Sequence, residues 1–227
     1  HLHANFKNQL KRARDSGLLK KLEDLKQSVP QQEDQFHVSG FTHPQLLVYR
    51  SSAPFTPTPM TWGLTPHWVK SAQDKLSLWN STLNCRGESM FEKPSFKDSA
   101  SEKRCLIYID GFFEFHHSAG KKYPYYVHLK NKNPICLGGL WSEWHNPQTG
   151  EVEKSFTIVT TKGNQLLSDI HNNPQLEGPR MPVILPESKT EKWLNTDLEA
   201  KAVEQLMVPF PEDEMNAYTV GALQGKK

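Results

Sequence analysis

Cysteine is scarce in this chain: Cys85, Cys105 and Cys136 are the three among 227 residues, an odd number at wide spacings with no C-x-x-C pair. That excludes a disulfide framework and the common zinc and redox signatures, and it fits reduced thiols in a cytoplasmic setting. No spacing among the ten histidines and three cysteines supports a metal centre, so no metal is expected. Long apolar runs are missing as well. The longest, Ile135 to Trp141, contains two glycines and falls far short of a bilayer span. No apolar segment follows the basic N-terminus as an export signal would require, so the expectation is a soluble protein without a membrane partner. Nor does one sign of charge dominate: 27 Lys and Arg against 25 Asp and Glu leave a net charge of +2. Any nucleic-acid contact must then come from a local patch.

What is present is globular. Charged residues at 23% and aromatics at 10% describe a chain able to bury a core, and its length fits one domain spanning residues 1–227. No repeat or low-complexity tract divides it. Phe6, Leu10 and Ala13, then Leu18, Leu19, Leu22 and Leu25, fall at helical spacing and predict two short amphipathic helices with basic faces. Residues 30–59 are rich in proline and polar side chains around one apolar run, Leu46 to Tyr49, which predicts a single strand in an irregular segment.

From Arg104 onward the pattern turns to strands: Cys105 to Ile109, Phe112 to His116, Tyr123 to Leu129, Ile135 to Trp141 and Phe156 to Thr160. Hairpin chemistry at Ser118-Ala119-Gly120-Lys121 and Asn146 to Gly150 predicts an antiparallel meander. Helices are expected at Leu166 to Ile170, Glu187 to Leu194 and Asp197 to Met207, making the class α+β.

Period-two alternation puts Phe112, Glu114 and His116 on one face of their strand. Aromatic neighbours disfavour a charged carboxylate and suit proton transfer, although spacing alone favours an edge glutamate facing water. Asn84 to Glu88 gathers an amide, a guanidinium and a carboxylate, a set that can hold a sugar or phosphate or simply cap a helix. His171 ends an apolar helical run, where a structural histidine and a catalytic one look alike. In Trp62-Gly63-Leu64-Thr65-Pro66-His67-Trp68, Trp62 suits either the core or a stacking platform, and Trp68 is the candidate for an exposed wedge against an unpaired base. A hydrolase with Cys85 or Cys105 as nucleophile beside His171 is the other enzyme reading, though Cys105 opens an apolar strand where a thiol is inert by default.

Taken in order, Trp62-Gly63-Leu64 with Pro66 and Trp68, Asn84-x-Arg86-x-Glu88, Arg104-Cys105-Leu106, Asp110 to Phe115, Pro124-Tyr125, Gly138 to Trp141, Phe156 to Thr161 and Ile170-His171 with Arg180 to Leu185 form a series. Over residues 36–195 that series resembles the SRAP (SOS-response-associated peptidase) family. The resemblance implies an antiparallel, barrel-like sheet core with flanking helices, no cofactor, and a monomer that senses abasic sites in single-stranded DNA or at single/double-strand junctions. It further implies a cysteine at the mature N-terminus, exposed by self-removal of the initiator methionine, whose thiol and α-amine capture the ring-opened sugar as a thiazolidine. An α-amine with a pKa of about 8 is partly neutral near pH 7, unlike a lysine at about 10.4, and an internal cysteine cannot close that ring. The residues open on His1-Leu2-His3-Ala4, so the nucleophile is expected to precede them.

By the same resemblance Asn84 holds the sugar or the cysteine, Arg86 a flanking phosphate, and Glu114 shuttles protons. His171 meets the lesion's sugar or phosphate, Trp68 stacks at the break in the bases, and Arg180 joins the DNA-binding set. Asn172 to Pro179 separates His171 from Arg180 where the family keeps the pair almost adjacent, so a loop is expected to return His171 to the site. A non-catalytic single-stranded DNA-binding module on the same fold and a thiol protease are the alternatives.

Overall fold

The computed structural model describes residues 35–173, 175 and 177–221, so the two helices expected around Phe6 and Leu18 lie outside the described residues. The described chain runs through β1 (Gln45–Arg50), β2 (Ala53–Trp62), α1 (Ala72–Trp79), β3 (Asn84–Arg86), α2 (Lys97–Glu102), β4 (Arg104–Ile109), β5 (Phe112–Ser118), β6 (Lys121–Leu129), β7 (Ile135–His145), β8 (Val152–Lys162), α3 (Gln165–Ile170), β9 (Arg180–Pro182), α4 (Glu187–Leu194), α5 (Ala200–Glu204) and β10 (Met215–Thr219). Strands β2, β1, β4, β7 and β8 pair in that order, and β8 returns to β2 through Thr61↔Ser155 and Trp62↔Phe156, closing a five-stranded barrel. Short strands β3 and β9 pair with β8, and β10, β6 and β5 form a separate antiparallel sheet. The class is α+β around a barrel, as expected.

The meander expected from short links is broken in two places. Strand β4 pairs with β7, while the β5–β6 hairpin between them swings out into the second sheet. The corner is Gly111, where a Cβ would stand 2.4 Å from the Tyr126 ring and 2.5 Å from the Val127 carbonyl oxygen, so a side chain there would block the turn. The barrel is also not wholly antiparallel: β2 and β3 both run parallel to β8.

Strand β2 occupies part of the proline-rich segment read as irregular. Trp62 donates its N–H to Pro44 O on the β1 side, so the nitrogens of Pro57 and Pro59, odd-numbered like Thr61, face away from β1. On that side the described strand pairing is to β8 at Thr61 and Trp62, beyond both prolines, so neither proline removes a described ladder bond.

Both faces of the central strands are buried, which explains their unbroken apolar runs. In β4, Cys105 and Ile107 join a core cluster with Leu46, Val48, Leu137 and Ile158, while Leu106 and Tyr108 join a second cluster with Val183, Trp193 and Val203. Each such aliphatic side chain contributes about 1.5–3 kcal/mol by leaving water. The space is narrow: a Cβ on Gly139 would lie 2.5 Å from Ile107 Cδ1 and 2.8 Å from Thr157 O, so Gly139→Ala must move backbone.

Arg104, fully buried, closes the ends of two helices. Its guanidinium donates to Ala100 O, Ser101 O, Trp193 O and Asn195 O, carbonyls at the C-terminal ends of α2 and α4 that would otherwise lack partners. Among the described residues no helix is long and apolar enough to cross a membrane.

Candidate active site

Asn84 and Arg86 stand on β3, parallel to β8 in the register Asn84↔Ile158 and Arg86↔Thr160, with Cys85 buried between them. The segment is thus a strand followed by one 3-10 turn, Gly87–Ser89, and not the helix cap its composition also allowed. Pairing with β8 exposes both side chains on the same side, because alternate residues share a face.

Glu114 lies on β5, opposite Tyr125 of β6, and His171 follows the last residue of α3. Helix α3 starts at Asn164, whose side chain accepts from Leu167 N and donates to Phe210 O. Its far end is tied to β5: Asp169 O meets His116 Nδ1 at 2.9 Å, and Asn172 accepts from His117 N at 2.7 Å while donating to His117 O at 2.9 Å. These bonds deliver His171 Nδ1 to 3.2 Å from Glu114 Oε2, with 16% and 23% of the two side chains exposed. The loop begun by Asn172 therefore does return His171 to Glu114. Nδ1 is buried with Glu114 Oε2 beside it, a contact that becomes an ion pair when the imidazole is protonated. The Glu114 carboxylate raises the His171 pKa above its ordinary value, outweighing burial, which works the other way.

Two arginines border the same space. Arg180 grips Glu88 in a fork, Nη1 to Oε1 at 3.1 Å and Nη2 to Oε2 at 2.7 Å, and also donates to Thr160 Oγ1 and Thr160 O. Burial alone would raise the Glu88 carboxyl, but hydrogen bonds from Arg180 and its own backbone, with the charges of Arg180 and Arg86, bring it below its ordinary value. Arg86 Nη1 meets Glu177 Oε2 at 2.6 Å in an exposed pair.

Asn84, Arg86, Glu114, His171, Glu177 and Arg180 line one cleft of about 1370 Å³, floored by Leu46, Ile107, Leu137 and Ile158. The structure brings together Asn84, Arg86, Glu114, His171 and Arg180. It does not bring Trp68, which is 43% exposed outside the cleft lining with Nε1 donating to Pro94 O. Trp62 lines the cleft instead, pinned by Nε1 to Leu83 O at 2.8 Å and stacked near Phe156. Sequence reasoning passed over Glu177, Tyr126 and Tyr218. Only the alternation in β6 and β10 hinted at the two tyrosines, and nothing local marks a carboxylate in a loop as the partner of Arg86.

The internal thiols do not join the site. All three cysteines are buried, none lines the cleft, and burial pushes Cys85 up to about 12 and Cys105 well above the ordinary thiol value. Neither supplies a thiolate near neutral pH, which removes the basis for a Cys85 or Cys105 hydrolase. Among the described residues no group of three His, Cys, Asp or Glu side chains is placed to hold a metal ion.

The sequence model of SOS response associated peptidase (SRAP) matches residues 6–226. Abasic site processing protein YoqW of Bacillus subtilis is 36% identical over 166 residues, covering 72% of this chain and 69% of its own. Abasic site processing protein HMCES of Pongo abelii is 29% identical over 193 residues, and there the match spans 52% of the relative. A crystal structure of a Bacteroides thetaiotaomicron protein superposes with a TM-score of 0.79 at 35% identity, covering 87% of this chain and 82% of that one. A Bordetella bronchiseptica protein, at 23% identity and a TM-score of 0.71 over 79% of this chain and 85% of its own, shares the fold.

Proposed function

The chain belongs to the SOS response associated peptidase family, and from that membership we propose that it processes abasic sites in single-stranded DNA by forming a covalent crosslink to the lesion. The observation that carries the reading is the Glu114–His171 pair at 3.2 Å, held in a cleft that also presents Asn84 and Arg86. Four residues from three separate segments converge there, and each has a use on a deoxyribose.

An abasic sugar is a cyclic hemiacetal in equilibrium with its open aldehyde. Opening moves the anomeric hydroxyl proton to a base and delivers a proton to the ring oxygen as its bond to C1′ breaks. Glu114 is the acceptor, and His171, whose pKa that carboxylate raises, is the donor in its protonated form. An N-terminal cysteine then attacks the aldehyde with its α-amine, loses water to give a Schiff base, and adds its thiol to the same carbon. The thiazolidine forms with one water released overall.

Glu114 relays the protons of these steps and of initiator-methionine removal. Asn84, exposed on β3, hydrogen-bonds the sugar or the cysteine, and Arg86 and Arg180 face the backbone phosphates. Trp68 offers a partly exposed indole for stacking where the bases part, at a gap or a single/double-strand junction. One domain, acting as a monomer without a cofactor, suffices for this scheme.

The test is a denaturing gel of the protein expressed from its native start codon with an oligonucleotide carrying one abasic site. A band that survives denaturation is expected, and Glu114→Gln slows its appearance by about 10²-fold or more. Absence of any such band from the wild-type protein overturns the proposal.

A further inference from the structure

The sheet of β5, β6 and β10 has two unlike faces. Cross-strand register sets Phe113 beside Tyr126 and Tyr126 beside Tyr218, and directly opposed residues share a face. Phe115, Lys122 and His128 fall on that face too, and none of its strand positions is Asp or Glu. The opposite face carries Val127, Leu129 and Met215 into the core and Glu114 to the cleft. An antiparallel sheet packed on one side is ordinarily polar on the other. This one instead shows a run of rings: Phe113 to Tyr126 at 5.3 Å, Tyr126 to His128 at 5.7 Å, and Tyr126 to Tyr218 at 5.7 Å.

The outer rings are within reach of a ligand, Tyr218 being 51% and Phe115 38% exposed, while Phe113 meets the edge of the His37 ring at 5.3 Å. Because β5 is the edge strand, the cleft wraps around it. Phe113, Phe115, Tyr126 and Tyr218 line the same cleft as Glu114 and His171, with Lys122 beside them. Asp110, in the corner before β5, is the carboxylate that bears on Tyr126.

We propose that this aromatic face is a stacking platform for the unpaired bases that flank the lesion, extending the site along a single strand. The inference rests on the function proposed above. Every base has a π-face, so rings bind single strands with little regard to sequence, and a strand face without carboxylates spares the phosphates repulsion. Continuity with the cleft assigns the occupant: a strand whose sugar lies at Glu114 can lay its neighbouring nucleotides over the β5 edge at Phe113 and Phe115, which line the same cleft.

The experiment compares wild type with the double variant Phe115→Ala/Tyr218→Ala, both positions lying outside the proton-transfer set. Binding is read by fluorescence anisotropy on 15-nucleotide and 4-nucleotide single strands carrying an unreactive tetrahydrofuran abasic analogue. The platform predicts about tenfold weaker binding of the long strand by the variant, with the short strand unaffected and crosslinking to a short reactive strand at the wild-type rate. Equal affinities for the long strand overturn it, as does an equal loss at both lengths. A lower melting temperature or a changed oligomeric state with DNA binding intact overturns it too, assigning the face to packing within the chain or to a second copy. Since the analogue cannot crosslink, a wild-type protein that fails to react defeats the proposed function while the length dependence is still read independently.

Discussion

Arg180 and Arg86 line one cleft and each meets a glutamate, yet they are held in different ways. Arg180 makes two parallel bonds to Glu88 and two more to Thr160, with 23% of its side chain exposed, whereas Arg86 makes one contact to Glu177 and is 50% exposed. Glu177 itself is 80% exposed. The fork of Arg180 ties the turn after β3 to β8 and β9, so its geometry is set before any ligand arrives. The Arg86 pair is open to water and salt and can be traded for another anion, such as a phosphate. The same two side-chain types thus act in one place as a brace and in the other as an exchangeable contact.

Breaking the brace is expected to have the larger effect on the fold. Arg180→Ala strands Glu88 and removes four hydrogen bonds, and it should cost about 1–3 kcal/mol in denaturant unfolding, toward the low end because Glu88 is half-exposed. Arg86→Ala should leave the melting temperature in place and instead weaken single-stranded DNA binding. The slope of log affinity against log salt should then fall by about 0.7, the share of one phosphate contact. A result in which Arg86→Ala destabilises the fold as much as Arg180→Ala would erase the distinction.

Acid should separate the pairs further. The Glu88 carboxyl lies below its ordinary value in the fold, so its contribution is present above the unfolded value of about 4.3 and is lost as pH falls through the lower folded value. That acid-side slope should be reduced in Arg180→Ala, as measured by unfolding between pH 3 and 6, a window taken around the value of about 4.3. His171 has the opposite sign. Its folded pKa is raised, so the Glu114–His171 pair stabilises fully below about 6.5 and its contribution fades as pH rises through the folded value. The stability gap between wild type and Glu114→Gln should therefore narrow on the alkaline side. The smallest effect belongs to Glu177→Gln, which frees Arg86 and should raise affinity for an abasic single strand by about two- to fivefold at low salt, with no change in melting temperature.

Much of the sheet was legible before any coordinates. Strands β4 to β8 appear as apolar runs between turn signals, and α3 and α4 appear at their expected places, because those features depend on near neighbours along the chain. Helix α5 is shorter than the expected run from Asp197 to Met207, covering Ala200–Glu204. Strand β2 was hidden by Pro54, Pro57 and Pro59, which read as breakers until the nitrogens of Pro57 and Pro59 are seen to face away from β1. The strand setting of Asn84 was equally hidden, since three residues carry no periodicity and its partner, β8, lies more than 70 residues away. Glu114 and His171 were found through the order of motifs along the chain and not through their spacing. A glutamate on an edge strand and a histidine after a helix each have a structural reading that spacing alone favours over the catalytic one.

By itself the sequence determined which segments extend or coil, which glycines turn corners, and which side chains bring a carboxylate, an imidazole or a guanidinium. These follow from local sterics and from the alternation of apolar and polar residues. Tertiary structure alone decided that β2 closes on β8, that Asn172 and His116 bring His171 to Glu114, and that Arg180 is anchored while Arg86 is left exchangeable. Those outcomes depend on which distant surfaces are buried together. Burial is non-directional along the chain, and only the packed whole selects one set of partners.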